Sequence, residues 1–568
     1  MRRARRWRRC KLVAQQVGES PARHRRRLAR STLLVILAFA GAKLISLVQT
    51  VVIAQVFGLS SDYDAYVAAN GLPELIYTLI AGGAMAHAFI PVFSGLLARG
   101  DRHGAWRTAS LVINSVFLVT LLLSLLTFLG ASWLTANLVA PGFDAEAQER
   151  TVVLMRILLL TTLIFSVSGL CMGILQSHNH FLLPALAPVL YDVGILFGVI
   201  FLIPTIGING IAWGAVLGAL LHLGIQVPGL LHFRARWWPL IDLADPRLRE
   251  ILRLMLPRIA GLGVFSLNFL VMNNIASRLG EGSVSALSWG WRVMQIPQTL
   301  IGTAMGTVIF PTLAALSEMG DDDGKRDFMA GALRFILVAS IPAAVGLILL
   351  GQAIVALLER GAFDASASSL VTSTLRFFAL GLVVHSVLEV VARSYYADKD
   401  TVTPLWAALG GATINLAGAF LLSGVLLVEN NGSLAGPLAL LPLQDLDRGV
   451  AGLALANSLG TAFEVAVLLW ILRRRWRGIK ESALAQTLLR TTASSLLMAL
   501  AIVLSTPLLS LLPLPGGIVG DALQVMLQVL IGAAVFLLSA SLLGMSEIRL
   551  LWHIWRRRRK SNGESVEA

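Results

Sequence analysis

The chain has 568 residues, 56% of them hydrophobic and only 14% charged, with a mean hydropathy of +0.76, whereas a globular protein carries about 25% charged residues. That balance excludes a soluble domain and points to an integral membrane protein. The two cysteines, Cys10 in a basic tail and Cys171 in an apolar run, lie at different depths, which leaves neither a disulfide framework nor a thiolate metal cluster.

The net charge of +14 sits mainly at the ends, and the first thirty residues hold twelve Arg or Lys against one Glu. Nucleic acid attracts such runs. Ahead of many apolar spans, however, the tail reads as a segment retained in the cytoplasm beside anionic lipid, and no nucleic-acid partner is expected. The first apolar stretch, from about Leu33 to Phe57, is longer than a signal-peptide core and lacks a clear cleavage site, so it should remain as the first span.

A helix needs about 20 mostly apolar residues to cross the hydrocarbon core. Windows of that size give fourteen candidate spans, at 32–57, 64–97, 108–134, 152–176, 181–203, 208–231, 250–277, 283–313, 331–357, 367–395, 402–428, 449–472, 488–512 and 521–544. Loops after odd-numbered spans are poor in positive charge, with Arg150, Arg278, Arg360 and Arg448 the exceptions. Loops after even-numbered spans carry Arg99, Arg102 and Arg107, then "HFRARWW", "RRRWRGIK" and "RRRRK". The positive-inside rule therefore places both termini in the cytoplasm.

A shift of 220 residues aligns Pro91 with Pro311, Gly100-Asp101 with Gly320-Asp321, Gly104 with Gly324, Phe143-Asp144-Ala145 with Phe363-Asp364-Ala365, Arg156 with Arg376, and Pro184 with Pro404. The expected fold is an all-α polytopic membrane protein of about fourteen transmembrane helices: two parallel-repeat six-helix lobes around a central cavity, plus two C-terminal helices. The expected organisation is a basic tail at 1–31, an N-lobe at 32–231, a cytoplasmic linker at 232–248, a C-lobe at 249–472, a basic linker at 473–487, two spans within 488–545, and a basic tail at 546–568. Parallel repeats mark transporters, because a site between two bundles can open alternately to either side. Duplication kept for stability alone is the alternative.

Charges inside a bilayer are costly and should face a cavity or a partner. Those found are Lys43 and Gln49 in span 1, Asp64, Glu74 and His87 in span 2, Asp192 in span 5, Arg258 with Asn268, Asn273 and Asn274 in span 7, Arg292 and Gln295 in span 8, and His385, Glu389 and Arg393 in span 10. Most polarity thus falls on the first two spans of each repeat, the expected lining of a cavity. Glu389 and Arg393, four apart, are expected to form an intrahelical ion pair. No P-loop, metal-ligand spacing or GxSxG elbow is present, so an enzyme is not expected.

The stretches "VIAQVFGLSSDYDAYVAANGLPELI", "AFIPVF", "SWGWRVMQIPQTLIGTAMGTVIFPTLA", "LLERGAFD" and "YYADKDTVTP" resemble the MurJ (MviN) lipid II flippases of the multidrug/oligosaccharidyl-lipid/polysaccharide exporter superfamily, over about residues 32 to 545. The resemblance implies two lobes in a V around a cationic cavity and transport of an undecaprenyl-diphosphate-linked saccharide from the inner to the outer leaflet of the bacterial cytoplasmic membrane. It further implies a groove for the lipid tail on spans 13 and 14, and a monomer associated with the cell-wall synthesis machinery. Arg292 matches the family's cavity arginine, Asp64 the acidic residue that opens span 2, and Lys43 the first span-1 arginine. Gln49 and Tyr77 stand where the family has two further arginines, so the expected phosphate site is Lys43 and Arg292 with Arg258, flanked by Gln49, Asp64, Tyr77 and Gln295. Glu74, Asp192 and Glu389 are the candidates for coupling to H+, with Na+ or the membrane potential as alternatives and no cofactor. An exporter of another polyprenyl-linked oligosaccharide of O-antigen type, or a non-transporting membrane scaffold, are the competing functions.

Overall fold

The computed structural model describes residues 45–545 and 547, apart from 81–82, 179, 243, 425–448 and 514. The two terminal basic tails, Lys43 and Arg448 lie outside the described residues. Among those described, every regular element is helical. The first half contains α1 (Ile45–Phe57), α2 (Ser61–Ile80), α3 (Gly83–Ala98), α4 (Arg102–Leu134), α5 (Ala145–Ser177), α6 (Leu182–Phe197) and α7 (Asn209–Gly224). The second half contains α8 (Pro246–Ala276), α9 (Ser283–Gln298), α10 (Ala304–Glu318), α11 (Asp322–Ala356), α12 (Ala365–Ala397), α13 (Val402–Leu422) and α14 (Val450–Arg475), followed by α15 (Glu481–Leu509) and α16 (Ile518–Leu542).

Eleven helical stretches among the described residues are long and apolar enough to cross a membrane. Expected spans 1, 2 and 7 each adjoin or contain positions outside the described residues, and their described apolar parts include Ile45–Phe57, Ala88–Ala98 and Gly261–Ala276. Span 8 is interrupted. Pro297 lacks the N–H that would continue the ladder, and directly beyond it the chain takes one π-helical turn, Thr299–Thr303, before α10.

Contacts divide the chain into two compact units. One holds Met1–Val52, Ile80–Leu125 and Ile157–Met255; the other holds Ile53–Leu79, Leu126–Arg156 and Leu256–Ala568. The units are not the two halves of the repeat, because stretches 53–79 and 126–156 of the first half pack into the unit built by the second.

In the first unit α6 and α7 meet along glycines. A Cβ on Gly214 would lie 2.7 Å from the Gly198 Cα, and one on Gly198 would lie 2.6 Å from the Gly214 Cα, so the backbones touch as small-residue membrane interfaces do. Behind this seam Gln226 donates to the Ser168 hydroxyl at 2.8 Å, and that hydroxyl pairs with His222 Nδ1 at 2.6 Å. In the second unit the core is built on Ile309, Leu313, Met329, Leu333, Val390, Tyr395, Leu468 and Leu472, and the Tyr395 hydroxyl donates to the Leu468 carbonyl at 2.6 Å. Met498, Ile502, Phe536 and Ala540 dock α15 and α16 against Val338 and Leu350 of α11.

The repeated aspartates turn out to be caps. Asp101 accepts the N–H of Gly104 at 2.7 Å, and Asp321 accepts that of Gly324 at 2.8 Å. Asp144 accepts from Ala147 at 2.7 Å, and Asp364 from Ala367 at 2.8 Å. Each aspartate satisfies an orphan donor in the first turn of the helix that follows it.

Candidate functional site

The turns after spans 1, 3, 7 and 9 interlock within the second unit. Asp64, in the first turn of α2, is only 1% exposed. Its Oδ2 accepts the Gly282 N–H at 2.6 Å, and its Oδ1 accepts the Ser285 N–H at 2.7 Å and the Ser285 hydroxyl at 2.5 Å. It therefore caps α9, using the partial positive charge of that helix's N-terminus. In return the Glu281 carboxylate accepts the Ser61 N–H that opens α2, at 2.9 Å.

Three further contacts lie beside this pair. The Ala362 N–H donates to the Gln55 carbonyl at 2.8 Å. Gly58 lies so close to the Ala362 carbonyl, and Gly361 to the Gln55 carbonyl, that a Cβ on either would collide with it. Across the turn after span 3, Asn274 donates to the Leu138 carbonyl at 2.7 Å and the Gly142 N–H to the Ser277 hydroxyl at 3.2 Å. We call this set of contacts the latch.

Beyond the latch, α2 and α9 present polar side chains to open space. On α9, Trp289 points inward and is 1% exposed, 5.7 Å from the Tyr63 ring and 6.4 Å from Phe363. Arg292 and Gln295 follow on the exposed face. The Arg292 guanidinium lies 6.0 Å from the Trp289 ring centroid, a cation–π distance. On α2, the exposed Glu74 accepts from Asn70 Nδ2 at 3.1 Å. Arg292 reaches Glu74 electrostatically, and Glu74 in turn reaches the half-buried Tyr77. The structure thus brings Glu74, Tyr77 and Arg292 into one electrostatic group and adds Asn70, whose neutral amide stood out in no charge pattern.

The remaining candidates are placed differently. Asp64, expected to line the cavity, offers no free surface: helix termini need acceptors, and both its oxygens are consumed in supplying them. Gln49 is 9% exposed on α1, packed rather than presented to a ligand. Arg258 lies on α8, but its side chain, like that of His87 on α3, is outside the described residues. Asp192 is half-buried on α6. Glu389 pairs with Arg393 at 3.2 Å, as the spacing predicts, and Arg393 also donates to the Thr303 carbonyl at 3.4 Å. His385 is buried against Asn457 at 3.1 Å, and Asn268 accepts from Asn415 at 2.8 Å. The sequence missed Glu281; the signal available was an acidic residue at the entry to a helix, within "LGEGS".

A family model described as lipid II flippase MurJ matches residues 53–511. The chain belongs to the lipid II flippase MurJ family. A lipid II flippase MurJ of Burkholderia cenocepacia is 30% identical over 381 residues, covering 65% of this chain and 73% of the relative. A probable lipid II flippase MurJ of Rhizobium tropici is 27% identical over 546 residues, covering 94% of this chain and 97% of the relative. Among solved structures, a lipid II flippase MurJ in an inward closed conformation is similar with a TM-score of 0.72 at 24% identity, over 90% of this chain and 98% of that one. An inward-facing multidrug resistance MATE transporter of the MOP superfamily is similar with a TM-score of 0.62 at 16% identity, over 78% and 96%. The fold is therefore that of the MurJ family, shared in outline with the MATE transporter structure, and the chain is a multi-pass membrane protein.

Proposed function

We propose that the protein is a lipid II flippase of the bacterial inner membrane, with both termini cytoplasmic, that carries the undecaprenyl-diphosphate-linked saccharide from the inner to the outer leaflet by alternating access. Family membership supports the cargo, and the exposed Arg292 on α9, within electrostatic reach of Glu74, is the observation that carries the mechanism. Arginine stays charged at any working pH and offers a planar fork that matches phosphate oxygens. Glu74 lies within electrostatic reach of Arg292, and a diphosphate, with more charge and more acceptors, outcompetes it for the guanidinium. The saccharide meets the neutral donors Asn70, Tyr77 and Gln295. The polyprenyl tail stays in lipid along α15 and α16, whose exposed Leu489, Leu496, Leu508, Leu530 and Leu538 match an apolar chain.

The latch, which the charge bias puts on the extracytoplasmic side, supports the alternating part of the cycle. Release outward requires Asp64 and Glu281 to let go of their helix ends, and hydrogen bonds to charged groups contribute about 1.5–3 kcal/mol each. Inverting a two-state population from 1:99 to 99:1 takes about 5.5 kcal/mol, so a latch of this size holds the outer side shut yet can be overcome by cargo that binds one state better.

The test is complementation of a flippase-depleted strain with the accumulated precursor identified by mass spectrometry. Wild-type protein should clear lipid II and Arg292→Ala should not. Full rescue by Arg292→Ala, or rescue restricted to a different polyprenyl-linked glycan, would reject this assignment.

A further inference from the structure

A cavity of about 400 Å³ lies within the first unit, its lining includes neither Arg292 nor Glu74, and nothing in the flippase mechanism uses it. Its walls come from the start of α4 (Trp106, Ala109, Ile113), the end of α5 (Val167, Cys171) and the strap that follows span 6 (Arg236, Trp237). By the charge bias all three are cytoplasmic ends, so the cavity sits at the level of the inner-leaflet headgroups. We propose that it is a binding site for an anionic phospholipid of that leaflet, with one acyl chain in the cavity and the phosphate at Arg236 on its rim.

The polar atoms of the wall are already engaged. Asn114 donates to the carbonyls of Trp238 at 2.7 Å and Leu240 at 2.9 Å, and its Oδ1 accepts from Trp237 Nε1 at 2.8 Å. Ser110 donates to the Trp106 carbonyl at 2.9 Å and accepts the Trp238 N–H at 3.2 Å. Both wall amide and wall hydroxyl are spent on holding the strap. The space left is lined by hydrocarbon and aromatic rings, which suits an acyl chain and offers water few partners; its size falls within the range of ordinary ligand sites.

The strap has the chemistry of a headgroup contact. Residues 233–241, "FRARWWPLI", combine two arginines with Trp237, Leu240 and Ile241, which are 63%, 39% and 58% exposed. Large apolar side chains left outside a structure, beside Arg and Trp at the end of a span, are the composition of a segment lying in the membrane interface. The arginines supply charge complementary to a phosphodiester. Trp237 and Phe117, which are exposed yet line the cavity, put its opening at the surface, where a lipid can enter from the side.

The experiment is native mass spectrometry of the full-length protein in detergent, titrated with phosphatidylglycerol or with phosphatidylcholine of identical acyl chains. The expected result is tighter first binding of phosphatidylglycerol, weakened about fivefold in Arg236→Ala, the loss of one interfacial cation, and lost in the cavity-filling Val167→Phe. Arg236 is exposed and its removal leaves the fold intact, so it serves even if the larger side chain perturbs packing. Equal binding of the two lipids, or wild-type phosphatidylglycerol affinity in Arg236→Ala, would overturn the proposal while leaving the flippase assignment untouched.

Discussion

Asp64 and Glu281 cap each other's helices: Asp64 takes the N–H groups of Gly282 and Ser285 at the start of α9, and Glu281 takes the N–H of Ser61 at the start of α2. A helix end buried without acceptors is costly, so each helix makes the other's position favourable only while the two ends are together. The same geometry that stabilises the fold is the gate of the proposed cycle.

Asp64→Ala leaves the buried N–H groups of Gly282 and Ser285 without acceptors, at a cost of about 2–3 kcal/mol to the latched arrangement. Amide exchange over residues 282–285 should then accelerate about 30- to 150-fold, with α11 and α12 unaffected. Unchanged exchange would show that the latch does not depend on this carboxylate.

Gly361→Ala should lower the thermal midpoint and reduce transport, because the residue has φ +60 and a Cβ there would strike the Gln55 carbonyl. Gly346→Ala is the control. It sits within α11 with nothing in reach of an added methyl and should be neutral or stabilising by up to about 1 kcal/mol. A thermal melt of both variants checks the contrast.

Glu389→Gln should retain most transport. Its carboxylate already serves Arg393 on the same helix, and an i,i+4 pair contributes about 0.2–0.5 kcal/mol. Complementation at normal expression reads this directly, and a null phenotype would make Glu389 a coupling residue instead.

Asp364 supplies a pH test. The Ala367 N–H, followed by the Ser366 hydroxyl, holds its carboxyl below the ordinary value of 3.8. Because the folded pKa is the depressed one, its stabilisation is present above that ordinary value and is lost as pH falls through the folded value. Asp364→Ala should cost about 1 kcal/mol at pH 7 and show a shallower loss of stability than wild type on acidification below pH 4, measured by thermal unfolding.

Span positions were legible because hydropathy is local: a bilayer demands one apolar stretch per crossing, and that demand is written residue by residue. The repeat was legible too, but its meaning was not. Asp101 and Asp321, or Asp144 and Asp364, recur because helices after tight turns need caps, which is a matter of folding and not of cargo. For the candidate site, Arg292 and Glu74 were found from charge in an apolar context, and they do lie on exposed faces. Asp64 shows the limit of that rule. An intramembrane carboxylate signals a partner, yet whether the partner is a substrate or the end of a distant helix depends on the pairing of α2 with α9, which no local pattern encodes. Asn70 and Glu281 were missed for the same reason, since each acquires its role only from what folding brings beside it.

The most direct test joins latch and cargo. In a Cys10→Ser, Cys171→Ala background, Ser61→Cys and Glu281→Cys can be bridged by a short reducible bifunctional thiol reagent, and lipid II in the outer leaflet quantified with a membrane-impermeant label. Bridging should stop the appearance of lipid II outside and cause its accumulation inside, and reduction should restore both. Undiminished outer-leaflet lipid II in fully bridged protein would contradict the account.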